Sequence, residues 1–300
     1  MAKQVVKGTV KQVDASLDKP IDKDAPPTIY GSKLKPEFAS AALNLSVDFL
    51  RQQQSEANKY LLWNKTTLLG SFTCALLYLV SKSTFPRGSK SVSGFFVQYA
   101  YMNTKELITA GIVIVISSSV IFTLLSRVTE NVFSKKIDAI VKTEGESVFD
   151  VNLNKLSADK VKGSEVLENT QIIVYRDTPI ALAAIMENKH LSTEDSLVMG
   201  VTTIGARRVY LKSGVMEDLI DWALLRTKDL QYRKHGNGKS MKLLLDVCSF
   251  DKDLRDALKK KGFSPIKTFK YEESRVLNSL YGIRRELWGV QFRFEAHKKE

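Results

Sequence analysis

The chain has 300 residues, a net charge of +12, two cysteines and three histidines. That length holds one ordinary domain beside a membrane segment. Cys74 and Cys248 exclude a disulfide framework, and His190, His235 and His297 are too scattered for metal ligation. From Arg207 to the end, 22 Lys/Arg stand against 13 Asp/Glu. With no finger spacing and no aromatic-interleaved RNA motif, this excess reads as attraction to anionic headgroups, and no nucleic-acid partner is expected.

Residues 1–34 are rich in Lys and Asp, carry Pro20, Pro26 and Pro27, and contain no apolar run. They read as a disordered tail and not as a cleavable signal peptide. An amphipathic helix is predicted over 35–62, opening at Pro36, with Phe38, Ala41, Ala42, Leu45, Phe49 and Leu50 at helical spacing. Such a helix lies on the membrane, binds a partner, or packs against its own protein; the sequence leaves all three open.

Residues 63–126 form the centre of the reading. Leu107 to Ser126 is uncharged, bounded by Lys105 and Glu106 before it and Arg127 after it. At about 1.5 Å per residue it spans the roughly 30 Å of a bilayer's hydrocarbon core. Thr66 to Val80 is a second uncharged run between Lys65 and Lys82, with Trp63 and Tyr78 suited to interfaces. A two-helix transmembrane hairpin is the simplest arrangement, with a re-entrant helix as the alternative. The loop between the spans carries FFVQYAYM from Phe95 to Met102, an interfacial belt expected on the lumenal side. Arg51, Lys59, Lys65, Arg127, Lys135, Lys136 and Lys142 flank the hairpin, against Lys82, Arg87, Lys90 and Lys105 in the loop. This bias puts both termini in the cytosol.

Small and hydroxylated residues mark the spans. Thr66, Gly70 and Cys74 recur every four residues in the first. Gly111, Ser117, Ser118, Ser119 and Thr123 lie in the second, on more than one side. One stripe closes the hairpin on itself, and another is free for a second membrane protein, so these five are the candidate partner-binding residues. With no charge inside the spans, a transport pathway is not expected.

Residues 127–169 read as a helical and polar connector, and 170–296 as a soluble domain ahead of a short tail, 297–300. Predicted strands run Gln171–Tyr175, Ile180–Met186, Ser196–Ile204, Lys242–Val247, Lys267–Tyr271 and Glu286–Phe294. Helices are predicted after Gly214 and over Asp251–Lys261, giving the order β-β-β-α-β-α-β-β. The fold class is thus α+β: a membrane hairpin followed by a mixed sheet with helices.

That order resembles the C-terminal part of the GNAT acetyltransferase fold. In that family a loop of pattern Q/R-x-x-G-x-G/A precedes a helix, and its backbone N–H groups hold the pyrophosphate of acetyl-CoA. The matching run here is Leu211-Lys212-Ser213-Gly214-Val215-Met216. Gly214 fits, Leu211 replaces the polar residue, and Met216 replaces the last small one. A tyrosine four residues before Gly-Phe often serves that family as general acid; before Gly262-Phe263 the position holds Leu258, which has no proton to give. The resemblance therefore implies a degenerate site, with no catalytic residue and no cofactor.

The whole chain, including Asp24-Ala25-Pro26-Pro27-Thr28-Ile29-Tyr30-Gly31 and Leu34-Lys35-Pro36-Glu37, resembles the fungal ER-resident chaperones needed for export of the high-affinity phosphate transporter. That resemblance implies a non-catalytic protein of the endoplasmic reticulum membrane whose partners are the bilayer and one polytopic client. The alternative is a membrane-bound acetyltransferase of GNAT type at the cytosolic face.

Overall fold

A computed structural model describes residues 10–13, 28–86, 91–160, 165–234 and 240–294. Pro20, Pro26, Pro27, Arg87, Lys90, His235 and the tail 297–300 lie outside them. In chain order the elements are β1 (Ile29–Lys33), α1 (Ala39–Leu62), α2 (Lys65–Lys82), α3 (Val92–Met102), α4 (Thr104–Lys142), α5 (Glu146–Phe149) and α6 (Leu153–Ser157). There follow β2 (Thr170–Tyr175), β3 (Thr178–Glu187), β4 (Ser196–Ala206), α7 (Val215–Lys234), β5 (Ser240–Cys248), α8 (Lys252–Lys260), β6 (Ser264–Lys270), α9 (Arg275–Ser279) and β7 (Arg284–Arg293). They form two compact units: Met1–Gln53 with Phe133–Tyr271 and Ile283–Glu300, and Gln54–Val132 with Glu272–Gly282.

The first unit is built on a seven-stranded sheet of order β1-β2-β3-β4-β5-β7-β6. Every neighbouring pair is antiparallel except β4 and β5, which run parallel. Their pairing covers Ser196–Val201 against Ser240–Leu245. Beyond it β4 stays with β3 as far as Ala206, and β5 stays with β7 as far as Cys248, so the two parallel strands part company. Strand alternation sends Ile173, Ala183, Leu197, Leu243 and Trp288 to one face, under Leu219, Ile220 and Ala223 of α7 and Leu254 and Leu258 of α8. The opposite face, with Ile172, Val174, Leu182 and Ala184, is covered by Leu34, Phe38, Ala42, Leu45 and Phe49, and by Ile140, Val148, Phe149 and Leu153.

The predicted order of strands and helices from residue 170 onward is observed with one addition, the short helix α9 between β6 and β7. Strand ends shift by up to three residues, and three segments before residue 170 take a definite place in the structure. Ile29–Lys33, expected within a disordered tail, is strand β1, paired antiparallel to β2 from Ile29↔Tyr175 to Lys33↔Gln171. Its sequence, IYGSK, has little strand signal, and as an outer strand it buries only Ser32. The first half of the helix predicted over 35–62 packs on its own sheet, its Phe49 ring lying over Gly205, where an added Cβ would come within 2.5 Å of it. The polar connector is in large part core, because Val148, Phe149, Val151, Leu153 and Leu156 are buried. Helices of four and five residues are too short to display a period. The hairpin is therefore inserted between the first and second strands of the sheet and does not simply precede the domain.

The second unit holds the apolar helices. Among the described residues, α4 alone is long and apolar enough to cross a membrane. α2, whose 18 residues include a lysine at each end, falls short of that measure, so length and composition support one span of the expected pair. α4 is unbroken over 39 residues, about 58 Å, where a span and a separate helix were expected. Part of the loop that precedes it forms α3. Tyr99 of α3 stacks with Phe95 and donates to Ser83 Oγ at 2.9 Å, and Asn103 holds both Thr84 N and Thr84 O.

Candidate functional site

The seam between α2 and α4 is built from small side chains. Thr67, Ser71 and Ala75, one helical turn apart, are the buried residues of α2. Ser118 Oγ donates to Ser71 Oγ at 2.9 Å, and Ser71 donates back to Thr67 O at 3.1 Å. A Cβ on Gly70 would lie 3.4 Å from Ile121 Cδ1. The sequence placed the stripe on Thr66, Gly70 and Cys74; the seam runs one residue later and leaves Cys74 exposed. Small residues occupy both registers, so periodicity alone could not choose between them.

The other face of α4 is open. Ser119 Oγ donates to Val115 O at 2.9 Å and Thr123 Oγ1 to Ser119 O at 2.8 Å, both within their own helix, as lipid-facing hydroxyls do. Ser117 similarly bonds Ile114 O. Around Gly111 a Cβ would meet nothing within 4 Å. Of the five candidate residues, Ser118 belongs to the seam and Ser117 is half-buried. Gly111, Ser119 and Thr123 lie on one exposed row of every fourth residue, with Val115 between Gly111 and Ser119 and Ile108, Ile112 and Val120 beside it.

The second candidate locus is the loop from β4 to α7. Arg207 N donates to Ile180 O, Tyr210 N to Arg207 O and Ser213 N to Tyr210 O, so the loop is folded on itself before Gly214. Gly214 has φ +84°, a left-handed conformation that explains a glycine there with no ligand involved. Leu211 and Met216 pack against the core of the sheet. Leu258 is wholly buried, 0 % exposed, on the inner face of α8 with Leu254 and Ala257. Glu217 and Asp218 lie in the first turn of α7, where they neutralise the positive end of the helix that a pyrophosphate would use.

Residues 11–292 match the family described as inorganic phosphate transporter chaperone Pho86. The chain belongs to this family. No curated protein matches the chain. Among solved structures, Naa50 from Arabidopsis thaliana, in complex with a CoA bisubstrate analogue, is 17 % identical over 42 % of this chain and 74 % of its own, with a TM-score of 0.33. The ribosomal-protein-S18-alanine N-acetyltransferase of Escherichia coli is 10 % identical over 44 % and 73 %, with a TM-score of 0.31. A GNAT-family acetyltransferase of Streptococcus pneumoniae is 14 % identical over 47 % and 75 %, with a TM-score of 0.33. At these scores the likenesses decide nothing about activity.

In this phosphate transporter chaperone one further element sits at the hairpin. Residues 272–282, a plain link between the last two strands on sequence grounds, are pinned to the beginning of α2. Tyr60 OH donates to Tyr281 O at 3.4 Å, Thr66 Oγ1 donates to Leu280 O at 3.3 Å, and Tyr281 OH meets Thr67 Oγ1 at 3.1 Å. No periodicity signals such a docking; the only hint is the apolar spacing of Val276, Leu277 and Leu280.

Proposed function

We propose that this chaperone acts without catalysis in the endoplasmic reticulum membrane, anchored by α2 and α4 as two spans with both termini cytosolic, and that it steadies the spans of a polytopic phosphate transporter against the open face of α4. The observation that carries this reading is the division of labour in α4. Ser118 closes the seam to α2, while Gly111, Ser119 and Thr123 leave a row of small residues facing outward. Such a row lets another helix approach closely without a charge in the bilayer. A photo-crosslinking residue in place of Val115, which lies in that row, is expected to capture the transporter in membranes, whereas one at Leu69 on α2 is not. Absence of transporter adducts from Val115 while Leu69 yields them would move the contact to the other helix.

The orientation rests on the lysines and arginines that flank the hairpin. Protease added to sealed vesicles of the endoplasmic reticulum is expected to digest the sheet domain. Full protection of that domain would invert the topology.

The charge at the start of α7 supports a reading without acetyl transfer. A pyrophosphate needs open N–H groups and a positive helix end, and Glu217 and Asp218 put negative charge there.

A further inference from the structure

We infer that residues 272–282 form a membrane-interface foot, whose Val276 and Leu280 side chains, together with Trp63, enter the lipid headgroup region where α2 begins; this rests on α2 and α4 both spanning the bilayer. The register of the hairpin sets the depth. Ser118 meets Ser71, and further along Thr129 Oγ1 donates to Asn58 Oδ1, so residues of the two strands of the hairpin are level when their numbers rise on one and fall on the other. Trp63 is then level with the end of the charge-free run of α4, which Arg127 closes. That level is the boundary between lipid and water.

The foot lies at this boundary. Thr66, which holds Leu280 O, is one turn inside Trp63 along the chain, and Thr67, which meets Tyr281 OH, is deeper still. Thr67 donates to Leu61 O at 2.7 Å, so the bond from Tyr281 is one it accepts, and the foot is fastened by two side chains of α2's first turn. Leu277 and Tyr281 turn inward and are buried. Outward, beside the exposed Glu272, Glu273, Arg275 and Ser279, stand three apolar side chains: Trp63 is 71 % exposed, Leu280 55 % and Val276 42 %. An indole and two aliphatic side chains, carried on segments that are hydrogen-bonded to each other at the start of α2, match the composition of an interfacial anchor.

Charge identifies the kind of lipid contact. The foot carries Glu272 and Glu273 against one Arg275, so attraction to anionic lipid cannot be what holds it. The contact is apolar, and it should form on neutral phosphatidylcholine as well as on anionic bilayers. A foot of this kind fixes the level of α2, whose lysine-bounded stretch is short for a span, without lengthening the helix.

The test uses the full chain in phosphatidylcholine vesicles, with Cys74→Ser and Cys248→Ala as background and an environment-sensitive fluorophore attached at Val276→Cys or Leu280→Cys. Both labels are expected to emit to the blue of a label at Thr143→Cys, to be quenched by shallow spin-labelled lipid, and to resist aqueous iodide. Labels at Leu76→Cys and Val115→Cys report the spans themselves. Iodide quenching at both 276 and 280, with 76 and 115 embedded in lipid, overturns the foot and leaves the hairpin standing. Iodide quenching at all four positions overturns both. Protection at 276 and 280 that appears only as the protein-to-lipid ratio rises, or only when transporter is added, identifies a protein as the occupant and likewise overturns the lipid contact.

Discussion

Replacing Gly111, Ser119 and Thr123 together with leucine is expected to stop most export of the transporter while the chaperone itself remains inserted and abundant. Leucine is as apolar as the surrounding bilayer, so insertion is preserved. What is lost is close approach, because three bulky side chains then stand on the face where helix backbones would meet. If each lost contact costs about 1 kcal/mol, association weakens roughly a hundredfold. The three hydroxyl and glycine positions bond only within α4 or to nothing, so the hairpin does not feel the change. Ser118→Ala is the contrasting variant. It removes the hydrogen bond to Ser71, worth about 0.6 kcal/mol on average in membranes, keeps the seam narrow, and should leave export near normal. Transporter export that is normal in the triple variant and lost in Ser118→Ala would place the client contact on the seam side.

Leu258→Tyr, the substitution that would restore the acid of the acetyltransferases, is expected to destabilise the protein and to create no activity. Leu258 is closed off from solvent in the core under α8, beside Leu254 and Ala257. A tyrosine there overfills a packed site, at about 1–3 kcal/mol, and buries a hydroxyl, at a further ~1–3 kcal/mol where no acceptor is met. For a domain of this size the sum, about 2–6 kcal/mol, corresponds to a melting temperature lower by roughly 4–24 °C. Thermal unfolding of the soluble part within detergent-solubilised full chain measures it, with acetyl-CoA titration in parallel. A variant of unchanged stability that binds acetyl-CoA saturably would show that the site is a dormant enzyme and not a filled one.

Leu211 and Met216 read as losses when set against a motif; in the fold they are gains, since both cover core that a glycine or arginine would leave open. The strands from β2 onward were legible because they alternate on a half-covered sheet or run apolar in its middle. β1 was not, because an outer strand with Ile29 and Tyr30 exposed carries no alternation to read. Leu153 and Leu156 were hidden in a stretch whose polar residues dominate any window long enough to average. In the hairpin, the presence of small residues was legible and their register was not: composition tells that helices approach closely, and only the Ser71–Ser118 bond tells on which side.

The insertion of the hairpin between β1 and β2 sets an order of events during synthesis. β1 leaves the ribosome first, but its partner β2 starts only at Thr170, after residues 34–169. At ~5–20 residues per second, that interval takes about 7–30 s. Throughout it the sheet has no second strand to close on, while both apolar helices have already emerged and are available to the insertion machinery. On the two-span reading proposed above, insertion can therefore precede completion of the sheet, and a chain that fails to insert would fold its sheet with its longest apolar segment still in water and be exposed to quality control at that moment.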